Sequence, residues 1–424
     1  MRTQNLQSDF FSRNRKNLTR QLEKGTMALA FSNPIAMRNG DQQYVYRQDS
    51  DMFYLTGITQ MESVLLLYCE KNSWNEILFI TKPDPKTAIW DGEQLSKSRA
   101  SEISGINEVR YTESLKVTLL ELAPKTNALA VSRPLHHIIA GKWVDSVLEI
   151  NDQINLTDLK PKIARLRVIK SSEEIKCIKE SVRITHEAFN NLIKIIKPGK
   201  KEYEIEAEMI RTFLSNGADG HAFDPIVASG INSCTLHYID NTKKMEDGDI
   251  LLLDFGAEKN GYAADMSRTL PVNGKFSARQ AEVYNAVLRT QKKTVKIIKP
   301  GISIKEINKQ VRIWMEKEMI QLGLITQKDI DNQDPDEPIS KKYFMHGTCH
   351  FMGLDVHDVG DPIKPLEPGM VITCEPGIYI KEEKIGVRIE NDILITENGN
   401  EDLMNGIPRE IEEIELLMNQ NHAK

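Results

Sequence analysis

Cysteine is scarce in this chain and follows no metal-binding spacing. The five thiols, Cys69, Cys177, Cys234, Cys349 and Cys374, are odd in number, scattered, and never arranged as Cys-x-x-Cys. That argues against a thiolate zinc site and a disulfide framework, and it points to a reducing compartment, the cytoplasm. Aromatics make up only 6% of the residues. No apolar run approaches the roughly 18 residues of a membrane span. The charged stretch MRTQNLQSDFFSRNRKNL is not followed by the apolar segment of a signal peptide. Positive charge is not in surplus either: 55 Lys and Arg face 61 Asp and Glu, a net charge of −6. Phosphate backbones need concentrated Lys and Arg, so neither a nucleic acid nor a membrane is an expected partner. Two catalytic signatures are also missing. There is no Gly-x-Ser-x-Gly elbow. Asp254-Phe255-Gly256 spells the kinase triplet without a kinase-type Gly-rich loop or a His-Arg-Asp loop.

What is present is a long chain with two textures. At 424 residues it exceeds one ordinary core, so two domains are expected, 1–168 and 169–424. The first alternates buried strands (Val64 to Tyr68, Glu76 to Thr81, Asn127 to Val131) with helical stretches such as Ser114 to Ala123, which reads as α/β. Its adjacent His136 and His137 point to different faces in any regular element and make a poor metal site. Ser171 and Glu174 then have capping-box spacing ahead of an apolar helical face that stops at Pro198-Gly199.

The second part repeats itself. Ile193 to Gly199, IKIIKPG, returns as VKIIKPG from Val295 to Gly301, each followed by a helical segment. MEDGDILLLD, ending at Asp254, aligns with LEPGMVITCE, ending at Glu375. Each is followed by a glycine and, four residues on, a second acid: Gly261 with Asp265, Gly386 with Glu390. The ordered series argues for a duplicated α/β unit.

The four acids carry the chemistry. A tight turn centred between Lys259 and Asn260 would make Asp254 and Asp265 cross-strand neighbours, about 5 Å apart at Cβ. A turn between Glu382 and Glu383 would do the same for Glu375 and Glu390. Duplication would bring both hairpins around one axis. Four buried carboxylates cannot all stay ionised without cations, and two divalent metals supply the matching charge. His346, His350 and His357 fall within HGTCHFMGLDVHDVG, just before the second hairpin, and His237 precedes the first. The glycines of that stretch argue for loop or strand there. Cys349, inside the cluster, reads as a packing residue rather than a nucleophile.

These strings resemble one family. RQDSDMFYLTG, VASGINSCTLHY, LLLDFGAEKNGYAADMSRTLPVNGKF, MHGTCHFMGLDVHDVG, ITCEPGIYI and GVRIENDILIT are similar to the pita-bread metallopeptidases, in particular the Xaa-Pro aminopeptidases, also called aminopeptidase P. The resemblance implies an N-terminal creatinase-like α/β domain and a C-terminal pita-bread domain with an antiparallel sheet, α/β (α+β) in class. It implies hydrolysis of the first residue from peptides with proline second, and two divalent ions, manganese by family habit. Asp254 would hold one ion, Asp265 and Glu390 would bridge both, and His350 and Glu375 would complete the other. Glu375 would also move the proton. His346 and His357 would meet the tetrahedral intermediate, with His237 nearer the substrate. Arg388 and Tyr379 match supporting positions. Asp51 and Trp90 lie in segments resembling those that reach a site across a subunit interface, which implies a homo-oligomer, dimer or tetramer. Alternatives on the same architecture are a prolidase acting on Xaa-Pro dipeptides, a metal-free binding protein, and a metal-free creatine amidinohydrolase. The complete acidic set favours the metal enzymes.

Overall fold

The computed structural model describes residues 6–132, 138–335 and 337–422; His136 and His137 lie outside them. The chain divides into two compact units, one ending at Arg167 and the other beginning at Val168. In the N-terminal unit six strands form one mixed sheet. Its order is Val109–Tyr111, Ser73–Ile80, Val64–Glu70, Thr26–Phe31, Ala128–Val131, Asn155–Asp158. The three strands expected from sequence are all in it. Every residue of Thr26–Phe31 is buried, so this strand is covered on both faces. Met27, Leu29, Phe31, Leu66, Phe79 and Leu129 pack with Leu115 and Leu119 of the expected helix, whose α-helical part is Leu115–Leu122. Each such side chain contributes roughly 1.5–3 kcal/mol on burial.

The C-terminal unit carries the duplication. Its paired long helices are Ser172–Leu192 with Glu202–Ser215, and Ala278–Ile297 with Ile304–Gln321. Capping boxes start three of them: Ser171 with Glu174, Ser277 with Gln280, Ser303 with Glu306. Ile178, Val182, Phe189 and Leu192 are buried along the first. That helix ends at Leu192 rather than running to Pro198. The chain turns through residues 193–195 before it reaches Pro198. The two Lys-Pro-Gly turns are superposable in their bonding. Gly199 and Gly301 both have φ 93°. The Gly199 N–H donates to Met245 O and the Gly301 N–H to Leu366 O, each at 2.9 Å. The reciprocal bonds, Met245 N to Lys200 O and Leu366 N to Ile302 O, are both 2.8 Å. The repeat read from the strings is therefore a repeat of backbone geometry.

Each half carries an antiparallel sheet: Ile226–Ser229, Ile250–Phe255 and Met266–Pro271 in the first; Val371–Cys374, Asn391–Thr396 and Gly399–Asp402 in the second. In the second hairpin the expected register holds. Cys374 pairs with Asn391 and Gly377 with Arg388, which places Glu375 opposite Glu390 in the gap between those ladders. The first hairpin corrects the expectation. Asp254 pairs with Ser267, not Asp265. The turn is centred one bond later, on Asn260-Gly261, whose φ values of 53° and 77° suit a I′ turn. Asp265 is thus two residues off, a diagonal neighbour on the same face. Gly256 makes the offset possible: a Cβ there would lie 1.6 Å from the Ala264 carbonyl oxygen.

Candidate metal centre

The acids meet because strand ends from both halves point at one spot. Asp254 is the penultimate residue of the strand Ile250–Phe255, and Asp265 lies just before Met266–Pro271. Glu375 and Glu390 occupy the gap of the second hairpin, and His350 precedes a bridge between Phe351 and Ile372. Donor atoms of Asp265, His350 and Glu390 all lie within 4.8 Å of one another. His350 Nε2 is 3.4 Å from Asp265 Oδ2 and 3.6 Å from Glu375 Oε1. The other ring nitrogen faces the Phe351 carbonyl at 3.0 Å. A carbonyl only accepts, so Nδ1 carries the proton and Nε2 is the atom turned to the carboxylates, the orientation typical of a metal-ligating imidazole.

Charge at the spot is unbalanced. Burial, then the charges of Glu390 and Asp254, push the Asp265 carboxyl well above its usual range. Burial, Glu375 and Asp254 do the same to Glu390, and burial raises Glu375. Burial pulls His350 down, but its hydrogen bond to Asp265 and the charge of Glu375 outweigh that and lift it to about 9. Asp254 Oδ1 is buried without a hydrogen-bond partner. Crowded carboxylates, an orphaned oxygen and one imidazole with its Nε2 turned inward fit a pair of hard divalent cations.

One cation is already built in. Arg388 donates from Nη2 to Asp254 Oδ2 at 2.5 Å, from Nε to Ser267 Oγ at 2.7 Å and from Nη1 to Tyr379 Oη at 2.9 Å. Ser267 passes its own proton to Glu390 Oε2 at 2.8 Å. Tyr379 in turn reaches His346 Nε2 at 2.8 Å, while His346 Nδ1 donates to Gly347 O at 2.7 Å. Both His346 nitrogens are therefore engaged. Burial and the Arg388 charge drop its pKa to about 4, so the ring is neutral near pH 7. His357 is exposed and stands edge-on to His350, ring centroids 4.4 Å apart. His237 is exposed on the cavity wall.

The cavity has a volume of about 510 Å³. Asp254, Asp265, His350, Glu375 and Glu390 line it together with His237, His346, His357 and Arg388. Phe223, Ile226, Leu236, Ile239 and Val356 add apolar wall, and Cys349 is a buried lining residue. Tyr379 stands behind His346. Asp51 and Trp90 belong to the N-terminal unit: Asp51 is buried against Arg167 at 2.7 Å, and Trp90 is 86% exposed.

Sequence reasoning missed three supporting residues. Thr373 Oγ1 accepts the His350 N–H at 3.1 Å and donates to Glu375 Oε1 at 3.3 Å. Ser267 joins Arg388 to Glu390. Asp392 Oδ2 accepts the Asp265 N–H at 3.2 Å. Ser267, Thr373 and Asp392 each stand two positions from one of the acids. Counting by two along each strand from the acids would have found them. The apolar wall carries no such signal.

Residues 176–397 match the model of metallopeptidase family M24, and residues 11–130 match that of the aminopeptidase P N-terminal domain. The Xaa-Pro aminopeptidase of Escherichia coli strain K12 is 37% identical over 96% of this chain and 97% of its own. Human Xaa-Pro aminopeptidase 3 is 32% identical over 92% of this chain and 80% of its own. The structure of E. coli aminopeptidase P with the inhibitor Pro-Leu has a TM-score of 0.92 at 34% identity, covering 100% of both chains. A zinc-substituted form of that enzyme in complex with product has a TM-score of 0.92 at 35% identity, covering 99% of both.

Proposed function

The chain belongs to metallopeptidase family M24 and is a metal-dependent aminopeptidase, and from that premise we propose that it removes the first residue from peptides whose second residue is proline, with two manganese ions. The observation that carries this reading is the convergence of four carboxylates and one inward-turned imidazole in an apolar-walled cavity. Asp254 would hold one ion, Asp265 and Glu390 would be shared, and His350 with Glu375 would complete the second. When bound, the ions supply Lewis acidity and a water acidic enough to attack near neutral pH.

The chain's own groups do the rest. Arg388 and Ser267 keep Asp254 and Glu390 aimed, and Thr373 does so for Glu375 and His350. Among the described residues, the Glu375 side chain accepts one hydrogen bond, from Thr373, which leaves carboxylate oxygen to take a proton and return it to the departing amine. His357, beside His350 and without a hydrogen bond among the described residues, is placed to donate to the developing oxyanion. His237 acts nearer the substrate. His346, with both nitrogens engaged, walls the site, and its share at the intermediate requires release from Gly347. The apolar wall suits the proline ring. The five free thiols support a cytoplasmic setting. Trp90, exposed on its short helix, is available to a neighbouring subunit, which supports an oligomer with Asp51 and Trp90 near the partner's site. The acidic net charge supports a peptide rather than a nucleic acid as partner.

The test is release of the first residue from Ala-Pro-Ala by the manganese-loaded protein, set beside Ala-Pro. Turnover of the dipeptide alone would replace this reading with a prolidase.

A further inference from the structure

One buried acid outside the metal centre holds the loop that carries His237. Glu202 opens the helix Glu202–Ser215 and is 0% exposed. Its Oε1 accepts from the Ser229 N–H and the Ser229 hydroxyl, each at 2.7 Å, and from Asn232 Nδ2 at 3.2 Å. Its Oε2 accepts from Tyr238 Oη and from the Lys243 N–H, each at 2.8 Å. The Glu202 N–H returns a bond to Lys243 O at 3.0 Å. No cation pairs with this carboxylate among the described residues; the Lys243 ammonium goes to Asp249 at 2.9 Å. A buried carboxylate without a counter-ion needs donors in place of its water, and the start of a helix favours its charge. Every one of those donors belongs to the stretch from Ser229 to Lys243.

That stretch forms part of the cavity wall through Leu236, His237 and Ile239. Residues 235–243 are neither helix nor strand. No hydrogen bond holds the His237 ring among the described residues. Its place on the wall is therefore set by the chain on either side. Upstream, Ser233 Oγ accepts the Gly386 N–H at 2.8 Å, which docks the loop on the second hairpin. Downstream, Asn241 Nδ2 donates to Glu206 Oε2 at 2.9 Å, one turn along the helix from Glu202. Tyr238, the neighbour of His237, packs its ring against Ile226, Ala228, Leu252 and Tyr379 and sets its hydroxyl on Glu202. The packing confines the ring, and the hydroxyl bond fixes how deep it sits. We propose that Glu202, through Tyr238 and Asn232, is the positioning residue of His237 and thereby sets how tightly the peptide is held. This rests on the reading of His237 as the histidine nearer the substrate.

Two variants and one background test it. Glu202→Gln keeps the side-chain volume. Each Glu202 oxygen faces a backbone N–H, so a glutamine amide meets one of them whichever way it turns, and the loop must yield. With the manganese-loaded full chain, KM for Ala-Pro-Ala should rise about tenfold and kcat should stay within about threefold, the signature of lost uniform binding. Tyr238→Phe keeps the ring, removes one bond, and serves where Glu202→Gln costs the fold; its KM should rise about fivefold. In a His237→Ala background the same change should move KM by less than about twofold, since the residue it acts through is gone. A general loss of packing would not depend on His237. An unchanged KM in Tyr238→Phe overturns the proposal, and so does an equal rise in both backgrounds. Should the wild type leave Ala-Pro-Ala intact, the proposed function fails, and the crystal structure of Tyr238→Phe decides this proposal instead. A His237 ring displaced by about 1 Å or more upholds it, and a superposable ring overturns it.

Discussion

Arg388 and Asp254, 134 positions apart in the chain, are joined by a charged hydrogen bond of 2.5 Å that links the two halves of the duplicated unit. The same guanidinium reaches Glu390 through Ser267 and His346 through Tyr379. A fixed cation therefore sits among carboxylates that the catalytic ions must also serve. Arg388→Met removes it and leaves Asp254 with both oxygens unanswered. The metal-free variant should lose about 3 kcal/mol of stability, the usual cost of breaking a buried pair. Thermal melting with and without manganese checks this; the loss should shrink when metal is present.

Asp265→Ala tests the centre itself. Activity should vanish and bound metal should fall, with the fold retained. Metal content and circular dichroism read both. Full activity after chelation and manganese re-addition would refute a dinuclear site built on Asp265.

The pH dependence has a definite sign. In the metal-free protein Asp265, Glu375 and Glu390 are raised by burial, and all three also by Asp254. His350 is raised from 6.5 to about 9 by Asp265 and Glu375 against its burial. A group whose folded pKa is raised contributes stability below its unfolded pKa and loses it as pH climbs through the folded value. The metal-free protein should therefore weaken steadily toward pH 9. Cations displace those protons, so manganese should bind tighter and raise the melting temperature more at pH 9 than at pH 6. A manganese-induced shift that is flat across that range would count against the assignment.

Tyr379→Phe cuts the relay from Arg388 to His346. It leaves a buried Arg388 donor and His346 Nε2 without a partner, a loss of about 1–3 kcal/mol. If the relay orients the site for the transition state, kcat should fall roughly tenfold to a hundredfold, with KM little changed.

Gly256→Ala addresses the hairpin that offsets Asp254 from Asp265. The added Cβ would meet the Ala264 carbonyl at 1.6 Å, so the strands must part. A cost of about 3 kcal/mol and weakened metal binding are expected, by denaturant titration and metal analysis.

Much of this site is legible in the strings because it sits on strands. A strand alternates with period two, and a hairpin reflects one strand onto the other, so arithmetic alone puts Glu375 opposite Glu390. The same arithmetic misses by one bond at Asp254 and Asp265, because the Asn260-Gly261 pair, not the midpoint of the acids, decides where the chain reverses. The Lys-Pro-Gly repeats announce the duplication for a similar local reason: proline and glycine at a turn leave few backbone choices.

By itself, then, the sequence determined the elements, the duplication and the four acids, since each follows from propensity and spacing over short stretches. Tertiary structure alone decided that Arg388 meets Asp254, that both nitrogens of His346 are engaged, and that Phe223, Ile239 and Val356 share one wall. Those contacts join distant residues through the docking of one half on the other, and nothing in a local pattern sets that geometry.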